Sequence, residues 1–287
     1  MHEMTWRIPS ACRRRRRTPT SRSFILSALI VVCMAAPASA ANRAVGDQFT
    51  YTLKSTIDAP VPAGLPAFAR GQYEANKAMA NGTVTTLTLH VDTLNPDGSA
   101  HATGTAVATL PAGTNPVAVK SMAMQGKDLE ATILADGAIV PKYDAPNVDP
   151  ATQGTLSHSQ QVAQVNQFNA NFAGGLVKGH VGDFNEFALG CSKPSSFKTG
   201  DSWRLVDAST STTWTFSVTG TDRVAGHDVF VITMGTSSVT QYLTSKRNAT
   251  GDYDPAQHVV VRFHEEGQST NSMTPGTTTT TEDIVLQ

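Results

Sequence analysis

Threonine alternating with apolar residues is the sequence feature that most limits how this chain can fold. In residues 49–57, Phe49 and Tyr51 share a side of the chain with Leu53, and threonine or lysine occupies the other side; residues 84–91 and 213–219 repeat the pattern. Because successive side chains of a strand point to opposite faces, a period of two predicts strands with one buried face. The 34 threonines after residue 40 also favour strands, since threonine is β-branched.

Short turn sequences separate these alternating segments. Asn95-Pro96-Asp97-Gly98, Asp136-Gly137 and Ala225-Gly226 each lie between two of them. Strands joined by tight turns pair antiparallel, because a parallel crossover needs a dozen or more residues. The sequence therefore predicts a mainly β fold of antiparallel meander sheets, either one curved sheet or half-barrel or two β halves.

One amphipathic helix is predicted at about residues 157–173. Apolar residues recur there at helical spacings of three and four: Val162, Val165, Phe168 and Phe172. Gly174-Gly175 is expected to end this helix, since glycine is the usual residue at a helix C-terminus. The Pro-rich segment 59–69 is expected to form a loop over the sheet.

Residues 1–40 have the composition of a secretory signal peptide. Five consecutive arginines at 13–17 precede an apolar stretch at 24–34, which is too short to span a bilayer. Small residues then predict cleavage between Ala40 and Ala41. Lipoprotein anchoring through Cys33 is disfavoured because Val32 precedes it, where a small residue is needed. The chain is thus expected to be exported to the periplasm or the extracellular space.

Removing this leader changes the charge of the chain. The whole chain has a net charge of −1, whereas residues 41–287 keep 15 basic and 22 acidic residues. This acidic balance argues against a nucleic-acid partner, which would require basic surface. No segment after the leader is apolar enough to predict a transmembrane helix. Cys191 is the only cysteine left, so an internal disulfide is excluded.

The remaining chain divides into two related halves. A Gly-Asp pair precedes an aromatic residue at the start of each half, at Gly46-Asp47 before Phe49 and at Gly200-Asp201 before Trp203. The predicted organisation is a signal peptide at 1–40, a first β half at 41–150, a helix and loop connector at 151–197 and a second β half at 198–287.

Residues 193–203 contain a motif known from other chains. They resemble the P-x-x-x-(V/F)-K-x-G-D-x-W sequence at the start of a strand in uncharacterised bacterial exported β-domains. Residues 251–255, leading into 259–262, are similar to a strand turn of the same proteins. In outline these are similar to envelope half-barrels, in which a curved antiparallel sheet holds apolar ligands under helices. The resemblance covers about a third of the chain and implies a fold, but no catalytic residues.

Nucleophile motifs have simpler explanations here. Residues 195–198 match S-x-x-K and residues 198–200 match K-T-G, but both matches use Lys198, whereas penicillin-recognising enzymes need two separate lysines. Cys191 has only Lys193 nearby to lower the pKa of its thiol, so it is expected to be inert.

Metal and carboxylate chemistry also lack a local signature. His258 and His264 lie about 20 Å apart along a strand and cannot share an ion, while Asp252 and Asp254 fit turn chemistry. A spatially assembled carboxylate pair remains open among six acids: Glu74, Glu130, Glu186, Glu265, Glu266 and Glu282. The sequence therefore predicts no catalytic residue, no metal ligand and no cofactor, and leans away from an enzyme.

The leading hypothesis is an exported, non-catalytic β-domain that binds an apolar small molecule or an envelope component. Its ligand-binding residues are expected to be Phe49, Tyr51, Leu87, Leu89, Phe168 and Phe172. One alternative is an envelope-polymer hydrolase that uses Asp, Glu or His residues converging in a cleft. The other is a structural or adhesive module with an exposed strand edge or apolar patch.

Overall fold

The computed structural model describes residues 43–62, 64–114, 129–143, 157, 159, 172–207, 212–239, 243–272 and 274–287. These residues belong to one compact unit, Ser39–Gln287. The predicted signal peptide, its cleavage site at Ala40 and Ala41, and most of the helix predicted at 157–173 lie outside the described residues.

Eleven strands and three helices form the described part of the chain. The strands are β1 (Gln48–Asp58), β2 (Val84–Leu94), β3 (Ala100–Thr109), β4 (Leu129–Ile133), β5 (Ile139–Pro141), β6 (Ser202–Asp207), β7 (Thr212–Val224), β8 (His227–Val239), β9 (Leu243–Asp254), β10 (Val259–Asn271) and β11 (Thr274–Leu286). The helices are α1 (Ala67–Gly82), α2 (Phe172–His180) and α3 (Gly182–Cys191).

All eleven strands belong to one open antiparallel sheet. Their spatial order is β5-β4-β3-β2-β1-β11-β10-β9-β8-β7-β6. Each β half is a meander, and the two halves join where β1 pairs with β11. The prediction of a mainly β, antiparallel meander fold is confirmed, and of the two arrangements it allowed, the halves form one continuous sheet.

The sheet is curved, as one arginine shows. Five strand spacings separate β4 from β10, about 24 Å in a flat sheet. Arg43 nevertheless donates a hydrogen bond to the carbonyl of Leu134 (2.7 Å), just after β4, and another to the carbonyl of His258 (3.0 Å), just before β10. A single guanidinium bridges these positions only because the sheet curls back toward itself.

The core lies between the inner face of this sheet and helix α3. Phe184 contacts Tyr51 and Phe263 edge-on, each with ring centroids 6.0 Å apart. Phe187 packs against Phe263 at 5.5 Å and is fully buried. These aromatic contacts join α3 to strands of both halves.

The helices differ from the sequence-based expectation. The segment 59–69 was expected to be a loop, but α1 begins within it, at Ala67, directly after Pro66. Gly174-Gly175 does not end a helix, because α2 continues through both residues to His180. At Gly174, a Cβ atom would overlap the carbonyl oxygen of Lys142, so this glycine permits close packing of α2. None of the described helices is long and apolar enough to cross a membrane.

The Gly-Asp repeat seen in the sequence is a repeated turn in the structure. In each copy, an aspartate carboxylate accepts a hydrogen bond from the main-chain N–H three residues earlier, and the glycine has a positive φ. The first copy joins Asp47 to Ala44 at 2.7 Å, with Gly46 at φ 94°. The second joins Asp201 to Lys198 at 2.8 Å, with Gly200 at φ 95°. The two β halves therefore begin in the same way.

Candidate functional site

The residues expected to bind an apolar ligand lie mainly in the packed core. Phe49, Tyr51, Leu87 and Leu89 are all buried on the inner face of the sheet. The space that Phe49 and Tyr51 line together amounts to about 10 Å³, roughly what one water molecule needs. Phe168 lies outside the described residues, and only the backbone of Phe172, at the start of α2, is described. Ligand binding by this set stays a prediction.

The residues considered as nucleophiles have structural roles. Cys191 is buried, and burial raises the pKa of its thiol well above the usual value, which disfavours the reactive thiolate. The main-chain N–H of Lys198 donates to Asp201 in the second repeated turn.

The two histidines considered as metal ligands contact different partners. His264 faces outward, with its Nδ1 2.7 Å from Oδ1 of Asp283, and this hydrogen bond raises the pKa of His264. His258 Nδ1 lies 2.9 Å from the hydroxyl of Tyr253. Among the described residues, no group of three or more His, Cys, Asp or Glu side chains is arranged to hold a metal ion.

A polar cleft of about 410 Å³ opens where the three helices meet β1, β9, β10 and β11. We call it the Glu265 cleft. Its charged wall consists of Asp183, Arg247, Glu265 and Glu282. Hydroxyl groups of β1 and β11 and the amide of Asn81 complete the polar lining. Four ionisable side chains thus converge in this cleft.

Strand register places two of these carboxyl groups side by side. Glu265 on β10 lies directly opposite Glu282 on β11, and the next inward pair along the two strands, Phe263 and Ile284, is buried in the core. Glu265 and Glu282 therefore point to the inner face as well. Like charges directly opposite each other destabilise a sheet, so this pair needs compensation from other elements.

Helix α2 supplies compensation for Glu282. His180, the last residue of α2, places its Nδ1 2.9 Å from Oε1 of Glu282. The two side chains are only 15% and 16% exposed. Burial raises the pKa of Glu282, and the hydrogen bond from His180 opposes this shift.

Helix α3 carries the third carboxylate of the cleft, Asp183, and Arg247 on β9 is its positively charged partner. Asp183 lies in the first turn of α3. It accepts a hydrogen bond from the guanidinium of Arg247, which reaches it from β9. A carboxylate in the first turn also benefits from the partial positive charge of the helix N-terminus.

Glu265 is the one of these three carboxyl groups that has no basic hydrogen-bond partner among the described residues. Its residue is only 4% exposed, and among the described residues its Oε2 has no hydrogen-bond partner. Burial raises the pKa of Glu265 to about 8, with Asp183 adding to the shift and Arg247 opposing it. At neutral pH, Glu265 therefore holds a proton.

Helix α1 forms the outer side of the cleft and is held there by one amide. Asn81 Oδ1 accepts a hydrogen bond from the main-chain N–H of Ile57 (2.8 Å), and its Nδ2 donates to the carbonyl of the same residue (3.0 Å). Helix α3 is held to the edge strand β5 in the same way, since Asn185 makes both bonds to Ile139. The helices that border the cleft are therefore fixed to strand backbones.

A second cleft, of about 340 Å³, lies near Arg43. In its wall, Nδ1 of His227 lies 2.8 Å from Oδ2 of Asp254. The other carboxylate oxygen of Asp254 accepts hydrogen bonds from the main-chain N–H groups of Ala256 and Gln257. The turn between β9 and β10 thus accounts for this aspartate.

In the sequence, Glu265 and Glu282 are two of the six acidic residues that have no local signature of carboxylate catalysis. The signal was present in the alternation, because Glu265 continues the inward positions of Val261 and Phe263. A glutamate at an inward strand position is rarely buried unless it is paired or functional. Asp183 and His180 gave no such signal, since the helices that carry them were not predicted.

Comparisons with known proteins give only distant likenesses. No protein-family model matches the chain, and no curated protein matches it. A candidate exported protein with a YmcC-like fold from Bacteroides fragilis NCTC 9343 is 13% identical, with a TM-score of 0.28 over 84% of this chain and 93% of that chain. A candidate lipoprotein from Parabacteroides distasonis ATCC 8503 is also 13% identical, with a TM-score of 0.28 over 84% and 94% of the two chains.

A third solved structure is described by its lipid–protein interactions. It is lipovitellin, at 9% identity and a TM-score of 0.34, covering 84% of this chain and 25% of that one. Likenesses this weak carry no functional argument.

Proposed function

We propose that this chain is an exported β-domain that binds a polar small molecule, or a polar group of an envelope component, in the Glu265 cleft without converting it. One observation carries the proposal. Glu265 is a buried carboxyl group with an unpartnered oxygen in the wall of a cleft of about 410 Å³. This volume lies within the range of small-molecule sites.

Energetics support a ligand at this position. Nearly all buried polar atoms in native proteins have hydrogen-bond partners. Leaving one unpaired costs about 1–3 kcal/mol. A ligand donor that reaches Glu265 would remove this penalty on binding.

The lining favours a polar ligand over the apolar molecule expected from the sequence. Carboxyl, hydroxyl and amide groups surround the Glu265 cleft. The space that Phe49 and Tyr51 line together is only about 10 Å³, and the larger cleft that Phe49 also lines has mostly polar residues in its wall. Export is supported by the signal-like leader at 1–40.

A second candidate function is supported by the pairing of a proton donor with carboxylates. Glu265, protonated at neutral pH, lies beside Asp183, and an acid next to a base is the minimum for general acid–base hydrolysis. Release of reducing ends or amines from purified cell-wall polymer, abolished by Glu265→Gln, would establish hydrolysis. Polymer left intact by the wild-type protein favours binding alone.

Native mass spectrometry of the protein purified from the organism that encodes it tests the binding proposal. We expect an adduct that is retained by Glu266→Gln but lost in Glu265→Gln. These variants are matched, because the two residues are neighbours on β10 whose side chains point to opposite faces. An adduct retained equally by both variants, or absent from all three proteins, would contradict the proposal.

A further inference from the structure

Two of the three carboxyl groups around the Glu265 cleft have a hydrogen bond with a basic side chain. Asp183 pairs with Arg247, and Glu282 pairs with His180. Among the described residues that line the cleft, no basic side chain is left for Glu265. Three carboxyl groups therefore lie at the cleft, and only two of them have a basic partner.

Glu265, the carboxyl group without a basic partner, lies where a ligand would supply the missing hydrogen-bond donor. Glu265 Oε2 is buried and unpartnered, while hydroxyl groups of β1 and β11 line the same space. Ser55 on β1, which lies directly opposite Glu282, and Thr280 on β11 are the hydroxyl residues at inward strand positions there. A group with several donors and one positive charge fits this combination of one carboxylate and neighbouring hydroxyl oxygens.

We infer that the Glu265 cleft selects a ligand that carries a single ammonium group, and that this cation replaces the proton of Glu265 when it binds. The inference rests on the proposed binding function and adds the chemical class of the ligand. An ammonium group has three donors and one charge. A guanidinium is a poorer match, because it pairs best with both oxygens of a carboxylate, whereas only Oε2 of Glu265 lacks a partner.

The exchange is balanced. The protonated carboxyl group of Glu265 releases its proton to solvent, and the resulting carboxylate pairs with the ligand ammonium. The charged groups facing Glu265 are Asp183 from α3, Arg247 from β9 and Glu282 from β11, and Glu282 is in turn bonded to His180 from α2. Release of this proton breaks the hydrogen bond between Glu265 and Asp183, whereas the pairs Asp183–Arg247 and Glu282–His180 stay in place.

Proton release makes binding depend on pH in a defined direction. Below the pKa of Glu265, near 8, the cation competes with a bound proton. Its affinity is therefore expected to rise up to tenfold per pH unit from pH 5.5 to 7.5 and to level off near pH 8. A neutral ligand of the same size would show no such slope.

Ethanolamine and ethylene glycol make a suitable probe pair, because they differ only in an ammonium in place of a hydroxyl. Their binding is followed by backbone amide NMR shifts of residues 55–57 and 280–282. We expect ethanolamine to bind more tightly, with the stated pH slope, in the wild type and in Glu266→Gln. In Glu265→Gln, both its advantage and its slope should disappear. Glycerophosphoethanolamine tests whether the ammonium is recognised as part of a lipid headgroup or as a free amine.

The outcomes separate the two proposals. Equal, pH-independent shifts from ethanolamine and ethylene glycol would overturn the ammonium inference and leave polar-ligand binding intact. No shift of the cleft resonances with any probe at any pH would overturn both. The wild-type pH slope tests the inference even if Glu265→Gln does not fold.

Discussion

Glu265 and Glu282 lie directly opposite each other on β10 and β11, and only Glu282 has a hydrogen-bonding basic partner among the described residues, His180. Two facing carboxyl groups, of which one is unpaired, would weaken a sheet that served only to support a fold. The arrangement is understandable as a binding site whose missing partner is a ligand.

The protonated state of Glu265 predicts a pH-dependent stability. Its pKa in the folded protein, about 8, exceeds the ordinary value of 4.5. Because the folded state binds more protons between these values, stability is expected to fall as pH rises from about 4.5 to 8, by at most ~1.4 kcal/mol per pH unit. Urea unfolding at several pH values measures this slope.

The control for this prediction uses the neighbouring glutamate. Glu265→Gln should flatten the slope, while Glu266→Gln, with an exposed side chain, should keep it. The contributions of Glu282 and His264, whose pKa values are also raised, cancel in this comparison. Identical slopes in the two variants would show that Glu265 is ionised throughout.

Gly190→Ala is expected to destabilise the protein by about 1–3 kcal/mol. A Cβ atom at Gly190 would overlap the ring of Phe216, which stacks on Trp203 with centroids 5.3 Å apart. Gly182→Ala, at the start of the same helix, meets nothing within 4 Å and should be neutral or slightly stabilising. Thermal unfolding compares the two, and equal melting temperatures would argue against this packing of α3.

Arg43→Met is expected to cost about 2 kcal/mol or more of unfolding free energy. The substitution leaves the carbonyls of Leu134 and His258 without the donor that joins them. Arg223→Met is the matched control, because Arg223 is exposed and its ion pair with Asp228 spans 3.8 Å. If both variants unfold at the same urea concentration, Arg43 does not hold the curved sheet together.

The repeated turn predicts equal effects at two distant positions. Asp47→Ala and Asp201→Ala each remove a carboxylate that accepts one main-chain N–H group. We expect each to cost about 1 kcal/mol, since the two turns have the same geometry. Chemical unfolding measures both, and a clear difference between them would mean that the turns are not equivalent in energy.

Strands were predictable because their signals are local. Alternation and tight turns, such as Asp136-Gly137, act within a few residues, and the antiparallel sheet follows from them. Helix α1 was missed because none of its residues is fully buried, so it has no apolar stripe. Helix α3 is short and contains two glycines, and its buried Phe184 and Phe187 lie too close together to establish a period.

The site was harder to predict than the fold because it is assembled across long sequence distances. Asp183 and Arg247 are 64 residues apart, and His180 and Glu282 are 102 apart. Only the register of the sheet and the docking of α2 and α3 bring them together. The local pattern showed that Glu265 points inward, but it contained no information on which groups surround it.

In the free protein, Glu265 is a protonated carboxyl group with no basic partner among the described residues. The most direct measurement is a ¹³C NMR titration of its side-chain carboxyl in the free protein, assigned by loss of the signal in Glu265→Gln. We expect a midpoint near pH 8 for Glu265. A midpoint for Glu265 at the ordinary glutamate value of 4.5 would contradict it.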